Sequence, residues 1–295
     1  MTTRVAVTVL ADSPHRGRDL AGLAFEEMDR VVPLLNRHLP SSAVSVLNDQ
    51  GRLRQAPEEL TMVLREARRV HDVSAGIFDA TVKPLVDWTA SAAADTAPTP
   101  PRELVELVDM RAVRVRRRSV HLSRQGMGLT LDGIAKGHVV DRMAAVLDGQ
   151  GSRNWLIDAG GDIRVAGSRE DGSPWRIGVQ DPDKSGVYPA VTELHRGAVA
   201  TSGGYERYYD RIGRRHHIVN SATGRSPVLV RSASVHAPTT MMADALATTV
   251  FAMEPQRAVA FINAIPGCSC LLVDSAGQTL RSRGWRDAPN STPRA

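Results

Sequence analysis

The chain has 295 residues, of which 42% are hydrophobic and 23% charged; this composition excludes a wholly disordered protein and is typical of one large domain or two closely packed lobes. The net charge of +5 comes almost entirely from arginine, since Lys83, Lys136 and Lys184 are the only lysines. No segment approaches the roughly 18 apolar residues of a membrane span, and residues 1–10 show neither a signal peptide nor a lipobox, so we expect a cytoplasmic or membrane-peripheral protein.

Apolar periodicity predicts alternating strands and helices. The segment 89–102, rich in Ala, Thr and Pro, predicts a surface loop. The irregular order of the elements, without a repeat, predicts an α+β fold with mixed or antiparallel sheets and packed helices. In chain order, we predict a strand at 4–10, helices at 21–35, 57–74 and 103–109, strands at 113–115 and 119–123, a helix at 137–149, strands at 155–158, 175–179, 198–201 and 216–219, helices at 242–253 and 255–265, and a closing hairpin.

Neither the densest basic segment nor the cysteine pair predicts a specialised site. Residues 111–118 alternate arginine with valine, as a half-exposed strand does, and no aromatic residue interleaves them, so we expect no nucleic-acid partner. Cys268 and Cys270 are two apart, which puts both on one face of a strand at a spacing poorly suited to a disulfide.

The first of four unusual stretches is residues 131–141, which read LDGIAKGHVVD. Gly133 and Gly137 flank Lys136 just before a predicted helix, so backbone amides and an ammonium group could meet a phosphate. A glycine turn carrying a solvated lysine is the alternative.

The second stretch is a predicted buried strand that runs into Gly160 and Gly161. Paired glycines after a strand let a flat ring or a phosphate lie against the main chain. A simple turn between two strands is the alternative, and the spacing does not match a dinucleotide-binding glycine fingerprint.

The third stretch, residues 198–227, combines hydroxyl groups, glycines, tyrosines and two histidines. Thr201 and Ser202 precede two glycines and resemble an anion-binding loop. His216 and His217 precede a predicted strand, and a histidine near phosphate-binding groups is a plausible proton acceptor at neutral pH.

The fourth stretch, residues 242–251, places Asp244 four residues before Thr248. On a helix these two side chains share one face, and carboxylate and hydroxyl oxygens suit a hard cation such as Mg²⁺. The alternative is that Asp244 caps the helix and Thr248 hydrogen-bonds back to a carbonyl group.

Taken together and in this order, these stretches resemble the FAD:protein FMN transferase (ApbE) family over nearly the whole chain. Residues 76–88 resemble the family's G-x-F-D-x-T-V-x-P-L-V-x-L-W segment. The remaining matches are G-I-A-K-G at 133–137, G-G-D-I at 160–163, A-T-S-G at 200–203 and A-D-A-L-A-T at 243–248. The resemblance implies a single domain over residues 1–295 with two closely packed lobes and a T-fold-related architecture.

The resemblance also implies a reaction and its residues. The enzyme would use Mg²⁺ to transfer FMN from FAD to a Thr or Ser of an acceptor protein, such as a redox subunit or an FMN-binding domain, with release of AMP. The Mg²⁺ ligands would be Asp244, Thr248 and the carbonyl group of Ala135, and His217 would be the base. The residues implied at the flavin site are Phe78, Asp79, Asp132, Lys136, His138, Gly160, Gly161, Thr201 and Ser202.

Several positions depart from the family pattern. The family has Tyr where His38 stands, Gly or Ser at Asp132, Tyr at His138 and Asp-Pro at Asn220 and Ser221. These changes surround the flavin and leave the metal pair intact. Two alternatives to protein flavinylation therefore stay open: hydrolysis of FAD to FMN and AMP, and FAD binding without catalysis.

Overall fold

The structure is a computed structural model that describes residues 3–91, 99–183, 186, 188–210 and 215–289. Within these residues the chain forms eight α-helices and twelve strands. The helices are α1 Pro14–Leu35, α2 Ala43–Gln50, α3 Glu58–Val73, α4 Lys83–Ser91, α5 Arg102–Glu106, α6 Ala135–Gly149, α7 Thr240–Phe251 and α8 Pro255–Asn263. The strands are β1 Val5–Val9, β2 Arg52–Leu53, β3 Val113–Arg116, β4 Ser119–Leu122, β5 Trp155–Ala159, β6 Asp162–Ala166, β7 Trp175–Val179, β8 Ala190–Leu194, β9 Arg196–Gly203, β10 Val230–Ala237, β11 Ser269–Asp274 and β12 Thr279–Arg281.

A seven-stranded antiparallel sheet forms the centre of the fold, in the order β1-β5-β6-β9-β10-β11-β12. The other strands form a three-stranded sheet, β2-β4-β3, and the hairpin β7-β8, both antiparallel. Together with the packed helices, these sheets confirm the predicted α+β fold.

Helices α6 and α7 lie side by side against the large sheet. α6 contacts β5 and β6, α7 contacts β9 and β10, and α1 packs on α6. The main hydrophobic core lies in this layer and includes the fully buried side chains of Met143, Leu147, Trp155 and Phe251. Burial of each such side chain contributes about 1.5–3 kcal/mol of transfer free energy, which holds both helices to the sheet.

The two helices cross closely at Gly137. A Cβ atom there would lie 2.4 Å from the carbonyl oxygen of Thr240, so only glycine fits the crossing. Asp141 fixes the contact further, because its carboxylate accepts hydrogen bonds from the backbone amides of Thr240 and Met241 at 2.8 and 2.9 Å. The start of α7 is therefore held against the first turns of α6.

Most predicted elements are present, with differences at their ends. α1 begins at Pro14, seven residues before the predicted start, because Ser13 caps it by accepting a hydrogen bond from the amide of Arg16. Cys268 lies just before β11 and Cys270 within it, and both thiols are free, as predicted.

Two predictions about strands were wrong. The segment 216–219 is not a strand, since only one isolated bridge, between Tyr208 and His216, forms there. Several strands were not predicted, and the longest of them is β10. This strand lacks the alternation of polar and apolar residues that marks a half-exposed strand. Small residues on both of its faces, such as Ser232, Ala233 and Ser234, are buried.

The predicted surface loop 89–102 differs from the structure at both ends. α4 continues to Ser91 and α5 begins at Arg102, while residues 92–98 lie outside the described part of the chain. Within the described ranges, no helix has the length and apolar character needed to cross a membrane. The single two-lobed domain and the location in the cell stay predictions.

Candidate active site

A cavity with two compartments lies where α6, α7 and the large sheet meet. The compartments enclose about 260 and 330 Å³. The first has an apolar side that includes Phe78, Ile177 and Val199, whereas Arg37 and Arg207 line the second. The residues that line both compartments are Thr3, Asp132, Lys136, Glu206 and His217.

Asp244 and Thr248 lie on the same side of α7 and both line the first compartment. Asp244 Oδ2 accepts a hydrogen bond from the amide of Gly137 at 3.0 Å, and the Thr248 hydroxyl lies 3.2 Å from that of Ser202. Thr248 also approaches the turn before α6, where a Cβ on Gly133 would lie 2.8 Å from its Oγ1 atom. The alternative role of Asp244 as a helix cap is wrong, because Thr239 caps α7.

Lys136 is held by two partners at the start of α6. Its ammonium group lies 3.2 Å from Asp162 Oδ1 and donates a hydrogen bond to the carbonyl oxygen of Gly160, also at 3.2 Å. The alternative of a solvated lysine is therefore wrong. Burial disfavours the ammonium, yet the carboxylates of Asp162 and Asp244 outweigh this effect and raise the pKa of Lys136. Lys136 therefore stays charged.

Asp162 and Asp244 form a buried pair of carboxyl groups. Burial raises the pKa of Asp162, against the opposing charge of Lys136. Burial also raises the pKa of Asp244 well above its usual range, and the adjacent Asp162 carboxylate raises it further. The pair therefore stabilises a proton or a cation beside it.

His217 lines both compartments, and its surroundings differ from those of His216. Its Nδ1 atom is buried and has no hydrogen-bond partner in the described residues. Burial, followed by the nearby His216, lowers the pKa of His217 to about 4, so the imidazole is neutral at pH 7.

His216 has a structural environment instead. It is only 2% exposed. Its Nε2 atom lies 2.9 Å from the carbonyl oxygen of Pro227, and its Nδ1 atom faces the amide of Ile218. Both ring nitrogens are thus engaged, and the ring packs edge-on against Phe251.

Phe78 and Asp79 line the first compartment, but they differ in what they offer to a ligand. The carboxylate of Asp79 accepts hydrogen bonds from the amide of Thr81 at 2.8 Å and from that of Met110 at 2.9 Å, and it pairs with His71 at 3.2 Å. Its oxygens are therefore occupied in holding the loop before α4. Phe78 presents an apolar ring to the compartment.

The paired glycines and the hydroxyl residues are also at the first compartment. Gly160 and Gly161 form the tight turn between β5 and β6, so this alternative is correct and the turn lines the cavity as well. Thr201 and Ser202 were predicted in an anion-binding loop, which was wrong. They belong to β9, and the Thr201 hydroxyl lies 2.7 Å from that of Ser234.

The remaining predicted residues lie in three different places. Asp132 is at the wall shared by the compartments and pairs with Arg37 at 2.8 Å. Ala135, the first residue of α6, lines the second compartment only. His138 lines neither compartment. It is buried on α6, and its ring has Glu27 and Glu59 of α1 and α3 among its charged neighbours, so the structure does not support its assignment to the flavin site.

Sequence comparison identifies the family of the chain. The profile of the ApbE family matches residues 1–272. The chain belongs to the ApbE family. It is 36% identical to the FAD:protein FMN transferase of Vibrio cholerae over 76% of this chain and 70% of that protein. It is 30% identical to that of Treponema pallidum over 81% and 73%.

Solved ApbE structures share the fold. The ApbE protein of Thermotoga maritima has a TM-score of 0.83 and 30% identity, with 95% of this chain and 94% of that chain covered. The flavin transferase ApbE of Vibrio cholerae has a TM-score of 0.80 and 27% identity, with 96% and 94% covered.

Residues beyond the predicted set also belong to this cavity of the ApbE fold. Gln180 and Glu206 line the cavity, although neither lies in a recognised motif. Asp162, inside the G-G-D-I match, lies behind the lining of the cavity and contacts Lys136. A buried carboxylate directly after two glycines is the signal that identifies it, since such a group needs a charged partner.

The oxygen atoms at the base of the cavity fit a hard divalent cation. In the described ranges no group of three or more His, Cys, Asp or Glu side chains could hold a metal, so a cation there depends on other oxygen donors. Asp244, Thr248 and a carbonyl group at the start of α6 are donors of this kind. The Oδ2 atom of Asp162 is buried without a hydrogen-bond donor, as expected beside a site that receives positive charge.

Proposed function

We propose that this chain is a magnesium-dependent flavin transferase that moves FMN from FAD to a Thr or Ser hydroxyl of an acceptor protein. One observation carries the proposal: Asp244, Thr248, Lys136 and His217 all line one cavity. Membership of the ApbE family and the names of its relatives support flavin transfer.

The shape of the cavity suits a dinucleotide. We expect the flavin ring against the apolar side of the first compartment, near Phe78 and the Gly160-Gly161 turn. We expect the diphosphate at the shared wall, where Lys136 supplies a fixed positive charge. Asp132 would oppose the anion, but its pairing with Arg37 offsets that charge.

Asp244 and Thr248, with the carbonyl group of Ala135, are the proposed Mg²⁺ ligands. When bound, Mg²⁺ supplies positive charge that neutralises the diphosphate as AMP leaves. The protein keeps the ligand side chains in place without the cation, because the Gly137 amide holds Asp244 and Ser202 contacts Thr248.

His217 is the proposed general base. The acceptor oxygen attacks the phosphorus atom on the FMN side of FAD and forms a phosphoester bond, and the bond between the two phosphates breaks to release AMP. The hydroxyl proton passes to the neutral imidazole of His217, which lines the cavity. His216 is excluded from this role because its ring nitrogens are engaged.

A transfer assay tests the proposal. The protein is incubated with FAD, Mg²⁺ and a candidate acceptor domain, and mass spectrometry of the acceptor is combined with chromatography of the nucleotides. We expect an FMN-sized mass gain on the acceptor and an equal amount of AMP. Replacement of His217 by Ala should keep FAD binding and slow transfer by roughly 10²–10⁴-fold.

Two neighbouring threonines of α7 give a matched test of the metal site. Thr248→Val should raise the Mg²⁺ concentration needed for half-maximal transfer by about tenfold or more, because an oxygen ligand is lost at constant volume. Thr249→Val should leave that concentration unchanged, because its hydroxyl bonds to the carbonyl of Ala245.

The same assay separates the other two functions. Free FMN and AMP without a modified acceptor would identify an FAD pyrophosphatase, with water in place of the protein hydroxyl. Bound FAD that is not consumed with any acceptor or with water would identify a flavin-binding protein without catalysis. Either result would overturn the proposal.

A further inference from the structure

Asp162 lies behind the lining of the cavity, in contact with Lys136. It begins β6 directly after the Gly160-Gly161 turn, and it is only 1% exposed. It does not line either compartment, whereas Lys136 and Asp244 do. Asp162 therefore acts on the cavity only through the side chains that cover it.

The two oxygens of Asp162 have unequal surroundings. Oδ1 lies 3.2 Å from the ammonium group of Lys136. Oδ2 has no hydrogen-bond donor among the described residues, although the atom is buried. The neighbouring carboxyl group is that of Asp244, which supplies a donor to Asp162 only when it carries a proton.

We propose that Asp162 is a positioning residue that sets the affinity of the cavity for a divalent cation without being one of its ligands. It holds the ammonium of Lys136 against the carbonyl of Gly160, away from Asp244. Without this anchor, Lys136 would pair with Asp244 and neutralise the carboxylate that the cation needs. The inference rests on the proposed magnesium site.

The sum of the charges at the base of the cavity also indicates that Asp162 raises the affinity for a divalent cation. With both carboxyl groups ionised, as a bound cation would keep them, Asp162, Asp244 and the ammonium of Lys136 carry a formal charge of −1 at the base of the cavity. A divalent cation changes this to +1, which suits the arrival of an anionic diphosphate. Loss of Asp162 removes the excess negative charge, and loss of Lys136 increases it.

Replacement of Asp162 and replacement of Lys136 should therefore change the cation affinity in opposite directions. Asp162→Asn keeps the shape of the side chain and should weaken cation binding by about tenfold or more, because a buried charge is lost next to the site. Lys136→Met keeps most of the stem and should strengthen it by a similar factor. A defect in folding would weaken binding in both variants, so the signs separate the two explanations.

The experiment titrates the FAD-free full chain with Mn²⁺ at pH 8 and follows free Mn²⁺ by electron paramagnetic resonance, with thermal unfolding of each variant as a check on folding. Asp158→Asn is the matched control. Its carboxylate accepts a hydrogen bond from the Gly161 amide in the same turn, and Asn keeps an acceptor there. We expect this variant to change the Mn²⁺ affinity by less than about threefold, since it is not in contact with Lys136.

Three results would overturn the inference: unchanged affinity in Asp162→Asn, weaker binding in both Asp162→Asn and Lys136→Met, or an equal loss in Asp158→Asn. A wild-type chain that binds no Mn²⁺ would refute the inference and the magnesium site together. A wild-type chain that binds Mn²⁺ with the expected variant pattern but transfers no flavin would support the inference and refute the proposed function.

Discussion

The burial of His217 has a consequence for the stability of the folded chain. Its pKa falls from 6.5 in an exposed setting to about 4 in the fold. Between these values the unfolded chain binds a proton that the folded chain does not, so the free energy of unfolding decreases as the pH falls. The contribution of His217 is fully present above pH 6.5 and is lost as the pH drops towards 4.

The size of this effect follows from the two pKa values. Each pH unit between them is worth about 1.4 kcal/mol, so the total is about 3 kcal/mol. Between pH 7.5 and pH 5.0 the expected loss is about 2 kcal/mol. His217→Gln cannot take up the proton, so this variant should lose about 2 kcal/mol less than the wild type over the same interval.

Urea denaturation followed by circular dichroism, at both pH values and without FAD or metal, measures this difference. His121→Gln is the matched control, because His121 is exposed on β4 and its replacement should leave the pH dependence of the wild type. If His217→Gln and the wild type lose the same free energy of unfolding, His217 is not desolvated. The proposed general base, His217, would then have the pKa of an exposed histidine, about 6.5.

Two further predictions concern helix packing and a second histidine. Gly137→Ala forces a methyl group against the carbonyl of Thr240 and should lower the free energy of unfolding, measured by urea denaturation, by about 1–3 kcal/mol. In Gly22→Ala, on α1, the new methyl group meets nothing within 4 Å, so this control should stabilise the chain by up to about 1 kcal/mol. An unchanged free energy of unfolding in Gly137→Ala would contradict the close crossing of α6 and α7. Asp79 raises the pKa of His71 by hydrogen bonding, so this pair stabilises the fold fully below pH 6.5 and less as the pH rises through the raised pKa. The stability lost in His71→Gln should therefore be larger at pH 6 than at pH 8, and an equal loss at both values would argue against a charged pair.

The sequence alone determined those features that depend on near neighbours in the chain. The four-residue spacing of Asp244 and Thr248 put both on one side of α7, and the pattern of apolar residues placed α3 and most strands. The ordered motifs identified the family, which the comparison confirmed. The spacing and the apolar patterns lie within about one turn of helix or one strand, and the family follows from the order of such short segments along the chain.

The tertiary structure decided whatever depends on burial and on partners distant in sequence. Lys136 meets Asp162 only because α6 packs on the β5-β6 turn, and the pKa of His217 falls mainly because the folded chain partly removes water from its ring, with His216 lowering it further. Strand β10 was hidden for the same reason, since burial on both faces removes the alternation that marks a strand. Desolvation and long-range contact arise when the whole chain is packed, and no local pattern of residues specifies them.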